Sequence, residues 1–328
     1  MSAFIGRLIQ VGLVKESTRG TSNITPPDFW LDKMDATVED KPVVIIDEST
    51  VGRIEDSVGG KVVSEGAEGD ISGKVFDRSI GLLLLSAFGT EDTVVVKSAE
   101  VAFEHSFPVK NDAQHQSLCI ELKNPNEQLA FVLAMIESLE MRAEVGKYVE
   151  FTARFLSKKG IASTSTPSYL VENDFLSKHL TVKVADNIAG LDAAPAVPMK
   201  SATIRINKNL ERDDVLGSLG PADILNKQFG IEVVLTRLYK DTTYKSLFAS
   251  GSTKAIRLEM KNTDVQLGTS AFYPTLTFDL AQALLTAWEK TTGAEELSAE
   301  TITGKATYKK TEAKMVDCKL INSQSAKY

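Results

Sequence analysis

The residues KYVEFTARFL, Lys147 to Leu156, alternate without a break: Tyr148, Glu150, Thr152 and Arg154 stand against Val149, Phe151, Ala153 and Phe155. A period of two puts one set on each face of a strand, so this segment needs a buried side and a wet side. Five more stretches mix β-branched and aromatic residues with short polar breaks. They are Ala36 to Ile46, Gly69 to Phe76, Glu100 to Phe107, Gln116 to Leu122 and Ile136 to Glu144. Glu144 to Lys147, with Gly146, predicts a hairpin turn before the first-named strand. The fold class is mostly β.

One segment breaks the pattern. Ile80 to Phe88 is apolar nearly throughout, yet far shorter than the ~20 residues that cross a bilayer. Asp77 or Ser79 can cap a helix here and Gly89 can end it. Ile80, Leu83, Leu84 and Phe88 share one face, while Leu82 and Leu85 lie on another. A helix apolar on nearly all sides is a buried one, so it is expected between sheets.

The second half repeats the plan of the first. KMDATV (Lys33 to Val38) has a counterpart in MKSATI (Met199 to Ile204), and VGRIED (Val51 to Asp56) in LGSLGPADI (Leu216 to Ile224). ISGKVFD (Ile71 to Asp77) answers to VVLTRLYKD (Val233 to Asp241), and the helix from Ser79 to TTYKSLFASGST (Thr242 to Thr253). CIELKN (Cys119 to Asn124) matches RLEMKN (Arg257 to Asn262), and GKYVEFTARF (Gly146 to Phe155) matches GKATYKKTEA (Gly304 to Ala313). Matches in one order argue for two copies of one strand-rich unit, residues 1–187 and 188–328. DNIAGLDAAPAVP (Asp186 to Pro198) is the expected linker, and Tyr239, Tyr244 and Phe248 the expected second core. The second unit lacks the Cys/Trp spacing of an immunoglobulin domain.

KESTRGT (Lys15 to Thr21), the start DKP (Asp40 to Pro42), STVGRIEDS (Ser49 to Ser57) and EGAEGDISGKVFDRSIGLLLLSAFGT (Glu65 to Thr90) resemble tail tube proteins of long-tailed bacteriophages. NKNLERDDVLGS (Asn207 to Ser218) is similar to a stretch of such proteins as well. The resemblance implies a unit of two packed antiparallel sheets flanked by a short helix, and the repeat, a departure from the single unit of many relatives, makes two tandem tail-tube-like units. It further implies stacked rings that form the conduit for DNA, with the apolar helix covering the outer side of a sheet whose other face lines the channel. The long polar segment Asp47 to Gly69 would touch the next ring, with Arg53, Glu55, Asp56, Lys61, Glu65 and Glu68 as candidates. The arm Met1 to Pro27 is a second candidate for that contact. Many relatives carry one unit, so two per chain predict three chains per ring. The alternative has six chains, with the second unit decorating the outside. The implied partners are the chain itself, the tape-measure, terminator and tail-tip proteins, and DNA that passes without specific binding. The implied place is the virion tail, after synthesis in the host cytoplasm. Two other functions stay open: the inner tube of a contractile injection system, and a monomeric tail-tip binding module.

Charge and chemistry agree with a structural role. The chain has 37 basic and 44 acidic residues, a net charge of -7, and no basic stripe of the kind that holds nucleic acid. Acids facing a channel would repel phosphates, so a net negative lumen is expected. The N-terminal apolar stretch is broken by Arg7 and Gln10, unlike a signal peptide, and no membrane association is expected. Cys119 and Cys318 are too few for a disulfide framework. His105 and His115 flank a hairpin but lack the further ligands zinc requires, and a lone strand histidine is expected at the surface. Glu65, Glu68 and Asp70 lack calcium-loop spacing. Neither GxxxxGK[ST] nor GxSxG occurs, and Gly59-Gly60 reads as a turn. No enzyme activity, metal or cofactor is expected.

Overall fold

A computed structural model describes residues 5–21, 27–98, 101–269 and 271–328. The strands of the first part are β1 (Gln10–Lys15), β2 (Phe29–Leu31), β3 (Lys33–Ala36), β4 (Glu39–Asp40), β5 (Val43–Asp47), β6 (Gly59–Ser64) and β7 (Ala67–Lys74). Helix α1 (Ile80–Phe88) leads into β8 (Val95–Ser98), β9 (Ala102–Ser106), β10 (Leu118–Lys123), β11 (Gln128–Glu144), β12 (Glu150–Ser157) and β13 (Ile161–Ala162). Then come β14 (Leu180–Ala185), β15 (Ser201–Asn207), β16 (Leu210–Asp213), β17 (Asp223–Asn226) and β18 (Gly230–Leu238). Helix α2 (Thr243–Ser250) is followed by β19 (Thr253–Lys261), β20 (Thr275–Thr291), β21 (Ala299–Ala306) and β22 (Val316–Asn322). The protein is mostly β with two short α-helices: one large antiparallel sheet, and two small ones formed by β5–β6 and β16–β17.

The large sheet has two runs. One follows the pairings β3·β7, β7·β12, β12·β11, β11·β15, β15·β18, β18·β21 and β21·β20. The other contains β2·β1, β1·β10 and β10·β11 at one end, and β14·β19, β19·β20, β20·β22 and β22·β9 at the other. Strands β11 and β20 belong to both runs. Their N-terminal halves pair with β10 and β19, their C-terminal halves with β12 and β21. Each has a register break near its middle, between Ile136 and Ser138 in β11 and between Leu285 and Ala287 in β20. A bulge bends a strand and raises its twist, which lets one strand leave one run and enter the other. Val11, Leu13 and Ile120 from one run share a core with Ile71, Phe151, Phe155, Ile204 and Ile302 from the other. The sheet therefore folds over on itself.

The alternation of Val149 to Phe155 is observed: Phe151, Ala153 and Phe155 are buried, while Thr152 is exposed. The turn at Glu144–Lys147 closes through Lys147 N–H to the Glu144 carbonyl, with Gly146 at φ 81°. All nine side-chain positions of α1 are buried, and Gly89 ends it at φ 90°. Ser79 occupies the N-cap position without a side-chain bond; its backbone N–H donates to Glu172 Oε1 at 2.5 Å. The Asp77 carboxylate instead accepts from Asn173.

Several expectations are corrected. Ala36 to Ile46 is not one strand. It stays on β7 as far as Asp40, and Pro42, which lacks an N–H, marks the point where the chain departs. Asp47 to Gly69 is not a long loop, because Gly59 to Ser64 pairs with Val43 to Asp47 and only residues 48–58, 65 and 66 remain outside strands. Gly59 and Gly60 pair with Asp47 and Ile46 and do not form the turn. The arm Met1 to Pro27 is in part an interior strand: β1 lies between β2 and β10 with Val11 and Leu13 fully buried. Met1 to Phe4 and Ser22 to Pro26 lie outside the described residues. Helix α2 exists and ends at Gly251, φ 63°, but it buries only Tyr244, and Phe248 is 39% exposed. The match of Gly146–Phe155 with Gly304–Ala313 also fails: Gly146 is in a turn, whereas Gly304 is inside β21, which stops at Ala306.

Tyr328 ties the last residues into the first part. Its ring sits against Phe29, Phe107 and His105, and its hydroxyl accepts from Asn322 Nδ2 at 2.6 Å. The space it fills is the one a side chain on Gly81 of α1 would occupy.

Candidate assembly surfaces

The run from β3 to β20 has one face in the core and one face in solvent, because its strands alternate. Along the solvent face, β3 to β7 carry Asp35, Glu39, Glu68, Asp70 and Lys74. Strands β12 and β11 add Glu150, Arg154, Glu140, Arg142 and Glu144, and β15 and β18 add Arg205 and Glu232. Acids outnumber bases: Lys305 of β21 stands exposed opposite Glu232, and the two arginines at the centre of the face are ion-paired. Arg205 stands opposite Glu140 on one side and Glu232 on the other; Nε reaches Glu140 Oε2 at 2.6 Å and Nη1 reaches Glu232 Oε1 at 3.5 Å. Arg154 binds Glu137 at 2.8 Å and Glu68 at 3.2 Å. Hydrogen bonds donated to Glu140 and Glu137 hold both guanidinium groups firmly protonated. Lys74 Nζ lies 3.6 Å from the centre of the Tyr148 ring. Each of these pairs is half exposed and worth little stability. Together they leave a face on which Arg154 and Arg205 are each bracketed by two carboxylates.

The second surface is the ribbon β5–β6. Val43, Val44, Ile45, Ile46, Val62 and Val63 are each 41% to 61% exposed, on both faces of the ribbon. A two-stranded ribbon with both faces wet is marginal alone, and side chains of this kind in solvent mark a surface that something covers. The tip, residues 48–58, begins with an Asx-type turn in which Asp47 Oδ1 accepts from Ser49 N–H at 3.0 Å. It carries Ile54, which is 99% exposed.

The candidate residues divide between these surfaces. Arg53, Glu55 and Asp56 are on the exposed tip, and Lys61 is on β6. Glu65 is at the ribbon base, paired with Lys159 at 2.9 Å, while Glu68 is inside β7. The tip and base are separate places, and sequence spacing alone merged them.

The hairpin β16–β17 lies against the first part of the chain. Leu210 and Ile224 pack with Leu133, Met135 and Leu156. Arg212 donates to the Glu65 carbonyl at 2.7 Å and to Ser64 Oγ at 3.1 Å, and Arg19 binds Asp223 at 2.6 Å. Beside it, Lys208 is fully buried and donates from Nζ to the Ser86 carbonyl of α1 at 2.9 Å. Burial, with Arg19 nearby, pulls its ammonium down to about 7. Sequence reasoning missed this lysine; nothing in KNLER marks it as interior.

The histidines are buried, against expectation. His105 bonds Glu91 Oε1 at 2.7 Å, and His115 lies between the Ala87 and Lys110 carbonyls. Burial takes the His115 imidazole down to about 4. Burial also pushes the Cys119 thiol up to about 12. Among the described residues no group of His, Cys, Asp and Glu has the geometry to hold a metal, and no helix is long and apolar enough to cross a membrane.

Residues 6–309 match the family model described as "Phage tail tube protein". No curated protein matches the chain.

Proposed function

The chain belongs to the phage tail tube family, and from that premise we propose that it closes into rings of three copies, stacked into the conduit for DNA. Membership makes it a structural component of the virion tail and not an enzyme. The finer reading is that each copy holds two tandem tube units and so occupies two of six equivalent ring positions.

What supports two units is the order of pairing. Strand β7 leads into α1, and its neighbours follow as β12, β11, β10 and β1; strand β18 leads into α2, followed by β21, β20, β19 and β14. The register breaks of β11 and β20 stand at matching places against their partners. On this reading β14 goes with the second unit, which moves the boundary ahead of residue 177 from its expected place at residue 187. The hairpins β5–β6 and β16–β17 are counterparts, each standing between a strand of the KMDATV/MKSATI pair and β7 or β18.

The single observation that carries the conduit is the solvent face from β3 to β20. Three copies place about 24 strands around an axis. At about 4.8 Å spacing and about 40° tilt these close at a backbone diameter of roughly 48 Å, wide enough for a DNA duplex after side chains are added. Acids repel phosphates on such a wall, and Arg154 and Arg205 each have two carboxylates bound, which offsets their attraction for phosphate. The exposed tip at residues 48–58 is the contact to the next ring. Averaged cross-sections of tubes viewed by electron microscopy test the arrangement. Three-fold symmetry with six similar lobes is expected; true six-fold symmetry with knobs outside refutes it.

A further inference from the structure

Inside the chain, two pairing series meet at one seam: β15 lies antiparallel along the C-terminal half of β11, Ser138 to Glu144. The corresponding half of β20 pairs only with β21 among the described strands, and β3–β4 pairs only with β7. One sheet edge is therefore open at each end of the run. An edge of this kind is a template for another strand.

The register of the inner seam can be carried to the open edges. Aligning the breaks of β11 and β20 puts Glu289 in the place of Glu140. Aligning Asp77 with Asp241, each just ahead of its helix, puts Glu68 in the place of Glu232. The residue opposite Glu232 in β15 is Arg205, and the residue opposite Glu68 in β4 is Glu39. At the inner seam Arg205 also faces Glu140. The same geometry between copies sets Glu39 against Glu289.

We infer that one copy joins the next by repeating this seam, with Ala36–Asp40 antiparallel to the C-terminal half of the neighbour's β20 and Glu39 opposite Glu289. The inference rests on the ring reading and gives it a register. It also assigns a cover to the ribbon. Leu210 of β16 seats on Met135 and Leu156 of the first part. Val44 holds the corresponding place in β5, and the corresponding seat is Leu284 and Lys305, a cross-strand pair of β20 and β21. The base of the apolar ribbon thus lies on a second copy within the ring, and only its tip projects toward the next ring. This is a head-to-tail contact, which closes only if the rotation per copy divides a full turn.

The seam between copies differs from the inner one in charge. Where the chain has an arginine between two glutamates, the joint between copies has Glu39 between Glu68 and Glu289, relieved by the Lys41 ammonium bound to Glu39. Three carboxylates in a row weaken the joint, and salt eases them.

Cysteine cross-linking of assembled tubes tests the register. Opposed residues in an antiparallel pair bring their Cα atoms to about 4.5–5.5 Å, within disulfide range, while a partner two residues along lies at about 7–8 Å. Cys119 and Cys318 are buried and do not interfere. Tubes of the Glu39→Cys/Glu289→Cys chain should oxidise to linked dimers and trimers, the single variants should give none, and Glu39→Cys/Thr291→Cys should give far less. Tubes without the first cross-link, or with a stronger shifted one, overturn the inference and leave the ring reading standing. If the double variant does not assemble, hydrogen exchange on the unsubstituted chain decides. Protection at residues 36–40 and 287–291 must rise on assembly, and unchanged exchange there refutes the seam. A chain that never forms rings refutes both.

Discussion

Substituting Gly81 by alanine isolates the docking of Tyr328 on α1. An added Cβ would lie 2.1 Å from the ring Cζ and 2.3 and 2.6 Å from its two ε carbons. Carbon atoms in contact sit about 3.5–4.0 Å apart, so the ring has to move by more than an ångström. Leaving its place costs contacts: Tyr328 is only 5% exposed and wedged between Phe29, Phe107 and His105. Ordinary overpacking costs about 1–3 kcal/mol, and full expulsion of a buried ring costs about 3–5 kcal/mol. Alanine returns about 1 kcal/mol of helix propensity relative to glycine. Gly81→Ala should therefore destabilise the chain by up to about 4 kcal/mol, the more so the further the ring is expelled. In a Tyr328→Ala background the same change should be neutral or stabilising, because its methyl enters the space the ring vacated. Urea unfolding of the four chains of this cycle, followed by far-ultraviolet circular dichroism, gives the coupling. Equal effects of Gly81→Ala in both backgrounds would refute the contact.

Glu39→Arg restores at the seam between copies the Glu–Arg–Glu order of the inner seam. It should lower the protein concentration needed for tube formation, by about 0.2–1 kcal/mol per joint, and reduce its salt dependence; light scattering across concentration and salt reads both, and an unchanged threshold counts against the seam. Deleting residues 49–57 removes the tip and spares β5 and β6; single rings should form but not stack, and normal tubes in electron micrographs would show that the tip is not the inter-ring joint. Lys208 gives a pH signature. Its folded-state pKa, about 7, lies below the free value of 10.5, so the unfolded chain holds more protons between those values and stability rises with pH across that window. Lys208→Met should flatten the rise in urea midpoints between pH 7 and pH 10, and a persistent slope would assign it elsewhere.

Local patterns were legible wherever one face of an element meets the core. The residues of ISGKVFD, KYVEFTARF and the apolar helix announce their structure because burial imposes a period. The KMDATV and MKSATI segments each supply a strand, one paired with β7 and the other with β18. The ribbon β5–β6 was misread because none of the described residues covers it, so the alternation that marks a half-buried strand has no cause there. The bulges of β11 and β20 were invisible, since a bulge is a relation between two strands and not a property of one. Tyr328 and Lys208 gave no signal, because much of their surroundings comes from residues distant in sequence, such as Phe29 and Phe107 for the tyrosine and Ser86 for the lysine. The charged face was legible only as an excess of acid; which acids bracket Arg205 follows from register alone.

The strands that serve both runs have a mechanical consequence. Two sheets in an ordinary sandwich are held by packed side chains, and a shearing load is met by contacts that have no direction and slip easily. Here β11 and β20, each 17 residues long, pass from one run into the other as unbroken polypeptide. A pull along one run is carried into the other through covalent bonds, and neither can slide without breaking its own ladder. Each copy carries two such cross-ties, spaced around the wall. In the proposed tube these cross-ties would carry stretching and twisting loads through the peptide chain itself.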